Sequence, residues 1–207
     1  MPTPTSAARR PVGGRPRDPQ IDAAILTAVR ELLAEEGYGR LSFETVARRA
    51  GVTRPTIYRR WSSKPQLVHE AVFPARSDSA VLIPDTGDFA ADVRRMITDT
   101  VASYARPEAR AALPGLLTDL SQDPRLRAEV IDGLENRVRE QFRALVRAAC
   151  ERGAVRADAD ADVLFDAVLG AVFTRAVAHY DIDIPAGFVD TLTALVVDGV
   201  AARAGDR

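Results

Sequence analysis

Between Thr53 and Lys64 the chain carries three arginines, a lysine, a tyrosine and two threonines with no acid among them, a set suited to hydrogen-bonding a polyanion rather than to making or breaking bonds. The guanidinium fork of Arg54 matches the two acceptors on the major-groove edge of guanine, a pairing that discriminates by about 1–3 kcal/mol. Thr53 opens this segment, and Thr56 with the ring face of Pro55 suits a thymine methyl. Tyr58, Arg59 and Lys64 read as phosphate ligands, which fix register on a duplex without reading its sequence. The chemistry of catalysis is missing by comparison. The sequence has no GxGxxG, phosphate loop, GxSxG elbow or HExxH, so no catalytic residue and no enzyme activity is expected. Asp158, Asp160 and Asp162 alternate but lack the glycine and glutamate of a calcium loop, and read instead as a helix N-cap with acids favoured by the dipole. With His69, His179 and Cys150 the only imidazoles and thiol, neither a metal site nor a cofactor is expected.

Such residues need a scaffold, and residues 42–61, SFETVARRAGVTRPTIYRRW, supply one. Ser42 can cap a helix whose apolar positions Phe43, Val46, Ala47 and Ala50 fall on one face. Gly51 then suits a turn of positive φ, and Val52 returns the chain to the core. Thr53 is the expected N-cap of a second helix, with Pro55 in its first turn and Ile57 and Trp61 facing inward. Arg54, Thr56, Tyr58, Arg59 and Arg60 are left facing out. Ser63 and Pro65 start a further helix to about Phe73, where amide N–H groups and the Lys64 ammonium would converge on one anion. The pattern is a helix-turn-helix, in which the start of the second helix meets base edges. A solvated helical hairpin is the bland alternative; the agreement of caps, glycine and aromatic at the right offsets outweighs it.

Charge divides the same way. Residues 1–73 hold 12 Lys and Arg against 7 Asp and Glu, while 74–207 hold 16 against 22, so a near-neutral total of −1 hides a basic head on an acidic body. Residues 1–18 are rich in proline and glycine and read as a disordered basic arm whose Arg9, Arg10, Arg15 and Arg17 could enter a flanking minor groove. Neither a signal sequence nor an 18-residue apolar span is found, so a cytoplasmic location and no membrane partner are expected. Cys150 reads as a small packed residue.

Past Phe73 the segments are helical throughout. The reading is a connection over 74–87, a helix from Asp88 to about Arg106 with Phe89, Val93, Met96, Ile97, Val101 and Tyr104 inward, and a helix over about 108–121 that Pro114 kinks or splits. A long helix follows from Asp123-Pro124 to about Arg152, closed by Gly153. Helices over 158–180 and 186–203 have unusually apolar faces, with Val163, Leu164, Val168, Leu169, Val172, Phe173 and Val177 in the first and Phe188, Leu192, Leu195, Val196 and Val200 in the second. These two are expected to form a homodimer as a four-helix bundle, which would place two heads about 34–36 Å apart along DNA.

Residues 19–73 resemble the DNA-binding domain of the tetracycline-repressor (TetR) family. The resemblance is carried by Glu36-Gly37-Tyr38, Leu41 to Ala47, Ala50 to Thr53, Thr56 to Trp61 and Ser63 to Val68. It implies that Thr45, Tyr58 and Lys64 touch the sugar-phosphate backbone and that Thr53, Arg54, Pro55 and Thr56 face bases. Arg54 and Pro55 stand where the family varies, so no operator sequence carries over, and Trp61 replaces the commoner phenylalanine as a larger core plug. The body resembles the family's C-terminal domains more loosely, at Asp123-Pro124, Glu151-Arg152-Gly153 and around Gly170. The resemblance implies a small-molecule effector held among its helices, for which the candidate lining is Met96, Tyr104, Phe142, Phe165, Phe173, Arg175 and His179.

The expectation is therefore an all-α protein. It has an arm (1–18), a three-helix helix-turn-helix domain (19–73), a linker (74–87) and a C-terminal helical ligand-binding and dimerisation domain (88–207). Its expected function is that of a transcriptional repressor released from a pseudo-palindromic double-stranded DNA operator by an effector. An architectural DNA-binding protein without effector is the alternative.

Overall fold

A computed structural model describes residues 18–73, 83–129, 133–178 and 184–202. Arg9, Arg10, Arg15, Arg17 and His179, proposed above for the arm and the pocket, lie outside the described residues, as does most of the expected linker.

Among the described residues the fold is entirely helical. The head is built from α1 (Pro19–Arg40), α2 (Phe43–Ala50), α3 (Arg54–Tyr58) and α4 (Lys64–Val72). Asp18 starts α1 by accepting from the Gln20 amide at 3.0 Å. Gly37, at φ 76° and ψ 174°, ends its regular part before a last turn to Arg40. A reciprocal cap opens α2: Ser42 Oγ accepts from Thr45 N at 3.2 Å and Thr45 Oγ1 accepts from Ser42 N at 3.0 Å. Gly51, left-handed at φ 67°, turns the chain out of α2, and Val52 N donates to Ala47 O.

Helix α3 is shorter than the sequence suggests, five residues followed by a turn. Thr53 holds the cap position but its hydroxyl makes no capping bond to the helix; it lies 3.0 Å from the Thr56 hydroxyl, since Pro55 removes one amide the cap would have served. Ile57 and Trp61 are buried as expected, and the Trp61 indole donates to Glu70 at 2.7 Å.

The body comprises α5 (Phe89–Ala105), α6 (Pro107–Gln122), α7 (Pro124–Arg127), α8 (Gly133–Glu151), α9 (Ala161–Phe173) and α10 (Phe188–Val200). Asp88, Asp123 and Asp160 cap α5, α7 and α9 through their carboxylates. Several expected bounds need correction. Helix α6 runs unbroken through Pro114. Of the helix expected over 123–152, Pro124–Arg127 and Gly133–Glu151 are helical as expected, and residues 130–132 lie outside the described residues. The helix expected over 158–180 begins at Ala161, because the Asp160 carboxylate and not Asp158 meets the first amides, and its regular part ends at Phe173, where the register widens into a π turn over Thr174–Ala178. The one expected over 186–203 spans 188–200 and is tied at its end by an antiparallel bridge between Val155 and Ala201.

Two apolar cores result. One gathers α5, α8, α9 and α10 around Phe142, Phe165, Ile97 and Val168. The other belongs to the head but is completed by α6: Ala109, Ala112, Leu116 and Leu120 lie in the same cluster as Ile25, Leu33, Ile57 and Leu67. Between the cores, the His69 ring packs on Phe73 at 5.5 Å, Phe73 on Tyr104 at 5.3 Å and Tyr104 on Phe173 at 6.4 Å. Burial there pushes the His69 pKa down to about 4.

Candidate nucleic-acid interface

The starts of α2, α3 and α4 meet at an open groove of about 380 Å³ whose walls include Ser42, Phe43, Arg54, Tyr58, Ser63 and Lys64. Tyr58 stands at its edge, 51 % exposed, with its ring edge-on to Phe43 at 4.5 Å. The Arg54 guanidinium lies 5.9 Å from the Tyr58 ring centre, and the tyrosine raises its pKa further. Across the groove the Lys64 ammonium sits 3.9 Å from the centre of the Tyr38 ring. Burial holds that ammonium below the usual lysine range, an effect the Asp119 carboxylate partly offsets.

The expected base-facing residues are together at the start of α3. Thr53, Arg54 and Pro55 are exposed and Thr56 is half-buried. Of the expected phosphate ligands, Tyr58 and Arg59 are exposed, Lys64 is half-buried, and Thr45 is half-buried with its hydroxyl engaged in the α2 cap. The expected convergence of amides on an anion at α4 is altered. Pro65 has no N–H, while the Gln66 amide donates to Ser63 Oγ at 3.3 Å and the Leu67 amide to Ser63 O at 3.1 Å, which leaves the ammonium as the main donor there.

The fold sorts arginines that look alike in sequence. Arg60, expected to face out, turns inward instead: its side chain is 8 % exposed, pairs with Asp22 and donates to Thr56 O at 3.1 Å. Arg49 is held by Glu35 at 2.6 Å and Glu31 at 3.3 Å. Among the described residues neither Arg54 nor Arg59 is ion-paired to a carboxylate.

Two residues that sequence reasoning gave no role enter here. Tyr38 donates to Asp119 Oδ2 at 2.5 Å, joining the last turn of α1 to α6 across 81 positions of chain, and burial, then Asp119, pushes its phenol upward. No local pattern marks such a pair.

The candidate effector lining splits in two. Met96, Phe142 and Phe165 are buried, the two phenylalanine rings 5.8 Å apart, and serve as core filling. Tyr104, Phe173 and Arg175 are only half-buried, and Tyr104 links Phe173 to Phe73 at the end of α4.

Comparison with known proteins meets this geometry. A family model described as "Bacterial regulatory proteins, tetR family" matches residues 25–71, and one described as "Tetracyclin repressor-like, C-terminal domain" matches residues 83–196. The chain belongs to the TetR family of bacterial regulators. Its TetR-family relatives include the uncharacterized HTH-type transcriptional regulator YdeS of Bacillus subtilis, 28 % identical over 91 % of this chain and 94 % of that protein. A DNA-binding transcriptional repressor TetR of Mycobacteroides abscessus is 29 % identical over 70 % of this chain and 75 % of its own. Among solved structures, the TetR family transcription regulator SCO0332 is 34 % identical with a TM-score of 0.67, covering 88 % of this chain and 99 % of the other. The protein is thus a DNA-binding transcriptional regulator with an N-terminal helix-turn-helix domain and a helical C-terminal domain. No helix among the described residues is long and apolar enough to cross a membrane.

Proposed function

We propose that this regulator is a cytoplasmic homodimeric repressor that reads a pseudo-palindromic operator with α3 and leaves it when a small molecule binds the body. The observation that carries this reading is the sorting of basic groups: Arg49 and Arg60 are neutralised within the head, whereas among the described residues Arg54 and Arg59 form no ion pair with a carboxylate and Lys64 opens on the same groove as Arg54 and Tyr58. Thr53, Arg54, Pro55 and Thr56 meet base edges; Thr45, Tyr58, Arg59 and Lys64 meet phosphates, and the arginines of the arm enter the adjoining minor groove. Val163 on α9 and Leu195 on α10 are 63 % and 71 % exposed, apolar surface that a second copy would cover by pairing both helices with their mates.

An effector entering beside Tyr104, Phe173 and Arg175 would favour one disposition of the two heads. It would weaken operator binding by its differential affinity for the two states, typically about 1–3 kcal/mol. Selection of bound sequences from a random duplex pool tests the reading. Recovery of an inverted repeat with half-sites one helical turn apart, or a multiple of it, is expected, whereas recovery of no preferred sequence would overturn it in favour of an architectural role.

A further inference from the structure

Tyr38 touches three things at once. Its hydroxyl donates to Asp119 on α6 at 2.5 Å, its ring carries the Lys64 ammonium at 3.9 Å, and its face lies on Gly115 of α6. The contact with Gly115 is so close that a Cβ added there would fall inside van der Waals distance of ring atoms Cδ1, Cγ and Cε1. Both ends of the ring are therefore fixed by α6, a helix of the body, while its face carries Lys64, a group at the wall of the groove.

We propose that Tyr38 is a positioning residue for operator binding: seated on Gly115 and held by Asp119, it presents its ring to Lys64, so that the phosphate contact of Lys64 follows the position of α6. This rests on the reading of Lys64 as a phosphate ligand. The physical logic is one of register. An unanchored lysine samples many rotamers, and ordering it on contact with DNA costs conformational entropy. A lysine already parked on an aromatic face loses less. A shift of α6 moves Asp119 and Gly115 together, carries the ring with them and takes the ammonium away from where a phosphate would meet it. Asp119 also supplies the negative charge that steadies the cation.

The test measures binding of full-length protein to the selected operator by fluorescence anisotropy across a salt series, for Tyr38→Phe, Asp119→Ala, Lys64→Ala and each of the first two combined with the third. Tyr38→Phe keeps the ring and loses its anchor, and Asp119→Ala removes the anchor from a half-buried surface position, so it decides the matter should the tyrosine variant fold poorly. Each is expected to weaken binding about 3- to 10-fold and to flatten the salt slope by up to about one. In the Lys64→Ala background neither should weaken it further. Wild-type affinity for both single variants, with Lys64→Ala still weakened, would overturn this inference alone. An undiminished loss in the Lys64→Ala background would also overturn it, by showing that the pair acts on the head at large. If Lys64→Ala itself binds as wild type, the phosphate role of Lys64 fails and the inference with it.

Discussion

A guanidinium without an acid partner on a protein surface is solvated by water, and trading that water for a guanine edge is inexpensive because nothing inside the protein must be broken. Among the described residues Arg54 has no ion pair to give up, only its contact with the Tyr58 side chain, whereas Arg60 is held by Asp22. Arg54→Ala should therefore relax preference at a single operator position at a cost of about 1–3 kcal/mol, read from a binding series over every base at each position; uniform loss across all sequences would refute base contact. Lys64→Ala should instead weaken all duplexes alike and lower the salt slope by about one, read from affinity against salt concentration. Arg60→Ala should act on stability, because it strands Asp22 and a carbonyl in the head, and would show as a lowered melting temperature. The sequence places these three and Arg49 in one basic stretch. It cannot show which of them finds a carboxylate, since Asp22 is 38 positions from Arg60 and Glu35 is 14 from Arg49.

At the scale of helices, legibility follows the range of the forces involved. Caps act over three residues, and Ser42, Ser63, Asp88 and Asp123 could be read directly, whereas the alternating Asp158, Asp160 and Asp162 did not reveal which of them caps. The π turn after Phe173 left no mark in the apolar pattern. The packing of α6 on Tyr38 is also long-range, and Gly115→Ala tests it. The added methyl should force the ring aside and cost about 1–3 kcal/mol, measured by chemical denaturation; unchanged stability would mean that the helices do not approach so closely. Helix α4 carries a second consequence of burial. His69 has a folded pKa of about 4 against 6.5 when free, so the unfolded chain binds the extra proton between these values. Stability is then complete above pH 6.5 and falls as pH drops toward 4, by ~2–3 kcal/mol from this group. Melting temperatures over that range should decline less steeply for His69→Gln, and parallel curves for the two proteins would show that the imidazole is not the cause.

Over the whole molecule, exposed apolar surface and charge asymmetry point to assembly. Val163→Glu with Leu195→Glu should give a monomer by sedimentation and should abolish binding to a full operator while the helical signal persists; a dimer that survives both would move the interface elsewhere. The all-helical class and the division into a basic head and an acidic body were legible from periodicity and charge. The sharing of a core between them was not, because Ala109, Ala112, Leu116 and Leu120 look like any amphipathic stripe until they are seen against Ile25 and Leu67.

That shared core bears on what happens when the polypeptide is severed. Released after Phe73, the reading unit would lose the four α6 side chains that close its interior and would expose Ile25, Leu33 and Leu67 to water. Such a piece should melt or clump instead of occupying DNA, so proteolytic nicking would silence this regulator and could not liberate a permanently bound, unregulated remnant.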